Sequence, residues 1–201
     1  MVERDTRRSP AHREVIATAS HKTAIKRKSP SQIARKLDKQ GVLRSLAVHS
    51  ILDFGCGYGA DVEFYRSKGY EADGFDIEPR FGWTQVNERP YDLVTLVFVV
   101  NVLPRSEDRL SAARDAARHV RPGGHLLIAA RSDLAIAAEA RKGNWAPFND
   151  GWISEPRKGT FQKGITLEEL AWYADAIGFR SAECPLRLSS DVSWLLCRRP
   201  G

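Results

Sequence analysis

The stretch Ile51-Leu52-Asp53-Phe54-Gly55-Cys56-Gly57-Tyr58-Gly59-Ala60-Asp61 limits what this chain can fold into more than any other, because an apolar run ends in an acid and then in three alternating glycines. The run predicts a short buried strand over 48–54 whose carboxyl end enters a glycine turn and then a helix from Ala60. Without a Cβ, Gly55, Gly57 and Gly59 can take positive φ and let the backbone approach a ligand. The helix start presents unpaired N–H groups, and Gly69 is placed to end that helix. Residues 71–75 then predict a second strand ending at Asp76, about 20 residues after the turn, the usual distance of an acid that accepts from the hydroxyls of a ribose. Ligands in open α/β sheets sit at strand ends of this kind. The pattern describes a pocket for a nucleoside.

The residues leave more than one ligand open. Gly55-Cys56-Gly57-Tyr58-Gly59-Ala60 formally fits the G-x-G-x-x-A dinucleotide pattern. Asp53 points elsewhere: just before the turn, its charge would repel a pyrophosphate but suits the ammonium of a methionine moiety, as in S-adenosylmethionine. A turn with no ligand would not call for both flanking acids.

At 201 residues and 42% hydrophobic content, one domain with a full core is expected, with no room for a second catalytic domain. Cys56, Cys184 and Cys197 are widely separated, which suits neither a disulfide framework nor a C-x-x-C zinc site, so no metal is expected and a reducing cytoplasm is the simplest compartment. No apolar run reaches the roughly 18 residues of a membrane helix. The net charge of +6 is uneven: residues 1–44 hold 12 Lys/Arg against 4 Asp/Glu, and the remainder 19 against 21. Such an arm can attract phosphates, yet residues 1–20 lack interleaved aromatics and read as a basic, solvated leader.

Beyond the leader, residues 21–201 read as one unit with an N-terminal helical arm over 21–41. Ser29, Pro30 and Gln32 sit as N-cap, N1 and N3 of a helix that stops at Gly41. Residues 91–100 are nearly all apolar and predict a central strand of a parallel sheet. Ser106 then caps a helix to about 120, residues 121–124 (Arg-Pro-Gly-Gly) make a turn, and 125–130 form another buried strand. Residues 131–164 mix Trp145, Phe148, Trp152 and Phe161 with Lys142, Arg157, Lys158 and Lys163, which reads either as a substrate-facing insertion or as a surface loop. Thr166 to Glu169 is a capping box for a helix ending at Gly178, and 180–185 with 191–198 close the chain as an antiparallel strand pair. Strands alternating with helices define an α/β fold.

This order of elements resembles the class I S-adenosylmethionine-dependent methyltransferases over about residues 42–198, with Tyr91-Asp92-Leu93-Val94-Thr95-Leu96 as the fourth-strand motif and Arg121-Pro122-Gly123-Gly124 before the fifth. A narrower likeness, to the DNA phosphorothioation-associated methyltransferases, rests on residues 21–27, 53–57, 99–102 and 159–163 with Glu169-Leu170 beyond. The resemblance implies a Rossmann-like, mostly parallel sheet. It also implies that Asp53 and the backbone of Gly55, Cys56, Gly57 and Gly59 hold the methionine part, that Asp76 holds the ribose, that Ile77 flanks the adenine, and that Val97 and Phe98 lie beside the methyl group. Only 15 residues separate Asp76 from Asp92, where relatives of this kind carry a helix and a third strand, so an abbreviated adenine pocket is expected, walled by Phe81 or Trp83. No D-P-P-Y or N-P-P-Y follows the fourth strand, which argues against base amino-methylation by the usual route.

Methyl transfer requires alignment behind the methyl carbon, and a base only for a protonated nucleophile. His21, Lys26, Asn101 and Lys163 stand in family-like segments and are the candidates for proton handling or substrate anchoring, each with a plain structural alternative. The expected activity is transfer from S-adenosylmethionine to a nucleic acid, a modified nucleotide or another anionic small molecule, as in DNA modification. The rivals are an NAD(P)-dependent oxidoreductase, told apart by cofactor binding, and a non-catalytic nucleic-acid-binding protein, told apart by salt-sensitive binding without methyl release.

Overall fold

The computed structural model describes residues 19–201, so the expected leader falls almost wholly outside them. β1 (Ser50–Phe54), β2 (Glu71–Phe75), β3 (Tyr91–Val97) and β4 (Val120–Arg131) pair in parallel in the order β2-β1-β3-β4. A separate antiparallel meander follows: β5 (Ala146–Phe148), β6 (Gly151–Glu155) and β7 (Thr160–Gln162). β8 (Arg180–Ser181) and β9 (Val192–Arg198) return to the main sheet and extend it beyond β4, antiparallel, as the closing pair that the sequence predicts.

Alternation along the strands assigns the two faces. Ile51, Leu93, Leu127 and Ala129 pack with Ile33 and Leu37 of α1 (Gln32–Lys39), Leu43 of α2 (Val42–Ser45) and Val62 and Tyr65 of α3 (Ala60–Ser67). Leu52, Val94, Leu96, Leu126 and Ile128 pack on the other face with Ala113 and Ala116 of α4 (Ser106–Arg118). After α5 (Asp133–Gly143), Leu170 and Tyr173 of α6 (Leu167–Ala176) complete that cluster. Each fully buried aliphatic side chain contributes about 1.5–3 kcal/mol, and a one-residue slip would exchange the faces. The register is therefore strongly specified.

Several local expectations change. The arm over 21–41 is a 3-10 turn (Ser20–Thr23), an irregular stretch, and α1, rather than continuous helix. Its cap is Ser31, not Ser29: Ser31 Oγ accepts from Ala34 N, and the Ser31 amide is held by Asp61 Oδ1 at 2.6 Å, a tertiary bond that local pattern cannot reveal. Arg105 rather than Ser106 occupies the N-cap position of α4. Residues 121–124 are a bulge within β4, since Tyr91 pairs with Val120 and Leu93 with His125. Hydrogen bonds between Gly123 and Arg199, and between Arg199 and Gly124, tie that bulge to the chain end. Residues 131–164 are α5 and the meander rather than a loop.

The abbreviation after β2 is present. Residues 76–90 hold one 3-10 turn, Pro79–Phe81, and β2 is the sheet edge. Because β2 and β3 flank β1 on opposite sides, the chain reverses direction at β1, and a crevice opens at the carboxyl ends of these strands. Among the described residues, no helix is long and apolar enough to cross a membrane.

Candidate active site

The crevice is a cavity of about 1130 Å³, lined from the first 3-10 turn, the glycine turn, the ends of β2 and β3, one face of α4, Arg131 and Gln162. Gly55, Gly57 and Gly59 all have positive φ, at 84°, 55° and 78°. Two of them are required by close neighbours. A Cβ on Gly55 would lie 2.2 Å from Val99 Cγ2, and one on Gly59 2.5 Å from the Trp83 ring. Gly59 is thus a packing glycine and does not line the cavity, in contrast to Gly55, Cys56 and Gly57.

The turn spends its amides internally. Gly55 N and Cys56 N both donate to Phe75 O, Gly59 N to Cys56 O, and Gly57 N to Asp76 Oδ2 at 2.8 Å. Asp76 Oδ1 also accepts from Glu78 N at 3.0 Å, so one carboxylate stitches the glycine turn to the loop after β2. Each of its oxygens keeps acceptor capacity for a diol.

Asp53, at the end of β1, is 5% exposed and accepts from Thr95 Oγ1 of β3 at 2.8 Å. Burial, and next the charge of Asp61, push its carboxyl up to about 7. Asp61, in the first turn of α3, is itself buried and lies 3.4 Å from Arg27. Burial and the same acids hold the Cys56 thiol protonated, well above the ordinary thiol range. A site with so much buried negative charge suits a cation.

The remaining sequence candidates separate. Ile77, Val97, Phe98, His21 and Asn101 all line the cavity. Phe98 has φ 59°, an unusual backbone state for a bulky residue, held by a bond from its amide to Ala129 O. His21 Nδ1 lies 3.4 Å from Glu78 Oε2. Asn101 is 2% exposed and donates from Nδ2 to Gln162 Oε1 at 3.0 Å. Lys26 and Lys163 are not in the wall: Lys26 sits over the Tyr58 ring outside it, and Lys163 pairs with Glu169 of α6. Trp83 also lies outside, packed on Gly59 with Arg66 over its ring, whereas Phe81 and Tyr58 line the cavity with ring centroids 4.6 Å apart. Of the aromatic and basic residues over 131–164, none but Arg131 reaches the cavity, and the substrate-facing part of that region reduces to Arg131 and Gln162.

Sequence reasoning missed an entire side of the wall. Phe54 and Phe75 form a floor with ring centroids 4.8 Å apart, and Asp108, Ser111, Ala112, Asp115, Arg118 and His119 face it from α4. Spacings of three and four along α4 mark one helix face and were the available signal. The connection from β2 to β3 beside it holds the single 3-10 turn Pro79–Phe81. His119 is in this wall, and burial lowers its imidazole below the ordinary range.

A family model described as a methyltransferase domain matches residues 13–183. No curated protein matches as a relative. The fold is similar to that of a SAM-dependent methyltransferase from Methanosarcina mazei, at 17% identity and TM-score 0.61 over 79% of this chain and 97% of that one. It is similar to the N-methyltransferase NodS from Bradyrhizobium japonicum in complex with S-adenosyl-L-homocysteine, at 18% identity and TM-score 0.57 over 90% and 97%. CalS10, a SAM-bound amino pentose methyltransferase from Micromonospora echinaspora, compares at 16% identity and TM-score 0.57 over 84% and 92%. At these identities the likeness is one of fold.

Proposed function

This chain belongs to the methyltransferase domain family, and from that premise we propose that it transfers a methyl group from S-adenosylmethionine to a small-molecule acceptor held in the same cavity. The observation that carries this is the pair of acids flanking the glycine turn. Asp53 is buried with a carboxyl pushed up by the lack of solvation, which an ammonium would relieve. Asp76 retains acceptor sites for two hydroxyls. Ile77 and Phe81 would flank the adenine, and Val97 and Phe98 the sulfonium end. The cofactor, when bound, supplies an activated methyl group; the chain's own residues orient the partners and exclude water.

A dinucleotide fits poorly, because the amides of Gly55, Cys56, Gly57 and Gly59 are taken by protein oxygens and three aspartates surround the turn. The cavity exceeds the roughly 300–1,000 Å³ of ordinary ligand pockets, which leaves room for an acceptor beside the cofactor. Fold neighbours named for small acceptors, such as the amino pentose enzyme CalS10, support a small molecule over a polymer. A role in DNA modification rests on the four sequence segments alone.

Calorimetry tests the proposal. S-adenosylmethionine or S-adenosylhomocysteine binds the wild-type chain, and Asp76→Ala weakens that binding about 10- to 100-fold, the range of one to two lost hydrogen bonds. Equal affinity in the variant removes Asp76 from the ribose site. Binding of NAD in place of either ligand overturns the function.

A further inference from the structure

We propose that the Asn101 carboxamide receives the N–H of the methyl acceptor and that this acceptor is a small amine reacting as its free base, an inference that rests on the methyltransferase function above. Asn101 lies in the 3-10 turn after β3 and lines the cavity, and its Oδ1 is buried with no hydrogen-bond partner among the described residues. A buried amide oxygen without a donor is costly. The rest of the residue is held: Nδ2 donates to Gln162 Oε1, and the backbone carbonyl accepts from Lys163 N at 2.8 Å. Ser20 Oγ donates to Val102 O, which straps the first 3-10 turn to the same segment. One bond therefore holds the carboxamide itself and two more hold its backbone segment, with one acceptor unused. A ligand N–H entering through the cavity supplies the missing donor.

Charge selects the acceptor class. Five aspartates but three arginines line the cavity, and each arginine already faces a carboxylate. Arg27 lies 3.4 Å from Asp61, Arg118 2.8 Å from Asp115 and Arg131 2.7 Å from Glu139. No lysine is in the described wall. Asp108 is met by Arg105, and among the described residues of the wall a phosphate or carboxylate would find no arginine without a carboxylate partner. An amine conserves charge instead. Its nitrogen lone pair forms the N–C bond as the C–S bond breaks, the bonding pair leaves on sulfur, and the positive charge passes to nitrogen, whose proton then goes to water. An anionic nucleophile would erase the positive charge that this wall neutralises, and a hydroxyl would need its proton removed during attack. Asn101 Oδ1, accepting from the N–H, would direct the nitrogen lone pair away from the amide.

The test uses the full chain and two matched probe sets: aniline, phenol and phenyl phosphate; and glucosamine, glucose and glucose 6-phosphate. Calorimetry with S-adenosylhomocysteine bound reads probe affinity, and label transfer from methyl-labelled S-adenosylmethionine reads turnover, with an oligodeoxynucleotide as a further acceptor. In at least one set the amine binds and takes label about tenfold or more in preference to its hydroxyl and phosphate counterparts. Asn101→Ala lowers kcat/KM for that amine about 10- to 100-fold at unchanged cofactor affinity. Gln162→Leu, which leaves Asn101 present but removes the one bond to its carboxamide, lowers kcat in the same direction. Preference for hydroxyl, phosphate or oligonucleotide probes overturns the inference. So does the failure of both amines to bind or take label, or variants that match the wild type. Absence of cofactor binding by the wild-type chain instead removes the methyltransferase function itself, so the two failures are distinct.

Discussion

Asp53 stood out in the sequence as a residue of the cavity wall because an acid closing an apolar strand before a glycine turn has no packing purpose. Its electrostatic state did not, because that depends on how deeply packing buries it and then on Asp61, eight positions on, being folded back beside it. Burial and Asp61 raise its carboxyl from 3.8 to about 7, so between these values the folded chain holds a proton that the unfolded chain has released. Its contribution to stability is then complete below about pH 4 and is lost as pH rises through about 7. Cofactor affinity runs the opposite way, since an ammonium partner needs the carboxylate. S-adenosylmethionine binding is expected to weaken about tenfold for each pH unit below about 7, with Asp53→Asn flattening the profile. Calorimetry from about pH 5.5 to 8.5 decides it, and a flat wild-type profile separates Asp53 from the ammonium. Lys26 and Lys163 show the converse limit: a cation in a family-like segment carries no signal of direction, and neither is in the cavity wall, Lys26 lying over the Tyr58 ring and Lys163 pairing with Glu169.

At the level of elements, strands with strict alternation and helices with strong ends were readable: β2 is Glu71–Phe75 as expected, and Thr166 caps α6 by accepting from Glu169 N. The meander was not, because strands of three to five residues carry too little pattern to separate from a loop. Its anchoring is tertiary. Arg109 of α4 is 1% exposed, donates to Leu103 O at 2.9 Å and pairs with Asp150 between β5 and β6, with Nε 3.7 Å from Glu169 Oε1. Asp150→Ala leaves that guanidinium short of a partner. Because Asp150 is half exposed, the expected cost is about 1–2 kcal/mol rather than the larger loss of a fully buried pair. Deuterium exchange should rise first in residues 146–162, ahead of the main sheet; unchanged exchange there shows that the meander is held by its apolar contacts, chiefly Phe161.

Over the whole molecule, the cavity joins elements that fold into separate clusters: α3 packs on one face of the sheet and α4 on the other, and both line the crevice. A ligand that binds across them should stabilise the fold cooperatively. With S-adenosylmethionine at about 100 times its Kd the gain is about 2.7 kcal/mol, or a rise in Tm of about 5–10 °C for a chain of this size. Thermal shift with S-adenosylhomocysteine should match it, and NAD and NADP should give none. A shift with the dinucleotides alone reverses the assignment of the cofactor.

The amino-acid sequence settled the strand, glycine turn, helix and second acid, and with them the class of fold and the place of the crevice, because each depends on residues within about 30 positions of one another and on periodicity that local sterics enforce. It also showed the shortened path from Asp76 to Asp92. What lies beside that shortened path became visible in three dimensions: Phe54 and Phe75 floor a cavity that α4 faces. Packing likewise chose Phe81 over Trp83, placed Asn101 against Gln162, 61 residues away, and neutralised each arginine of the wall. Distances between remote side chains follow from how layers pack, and burial then sets their charge. Neither is encoded at any single position.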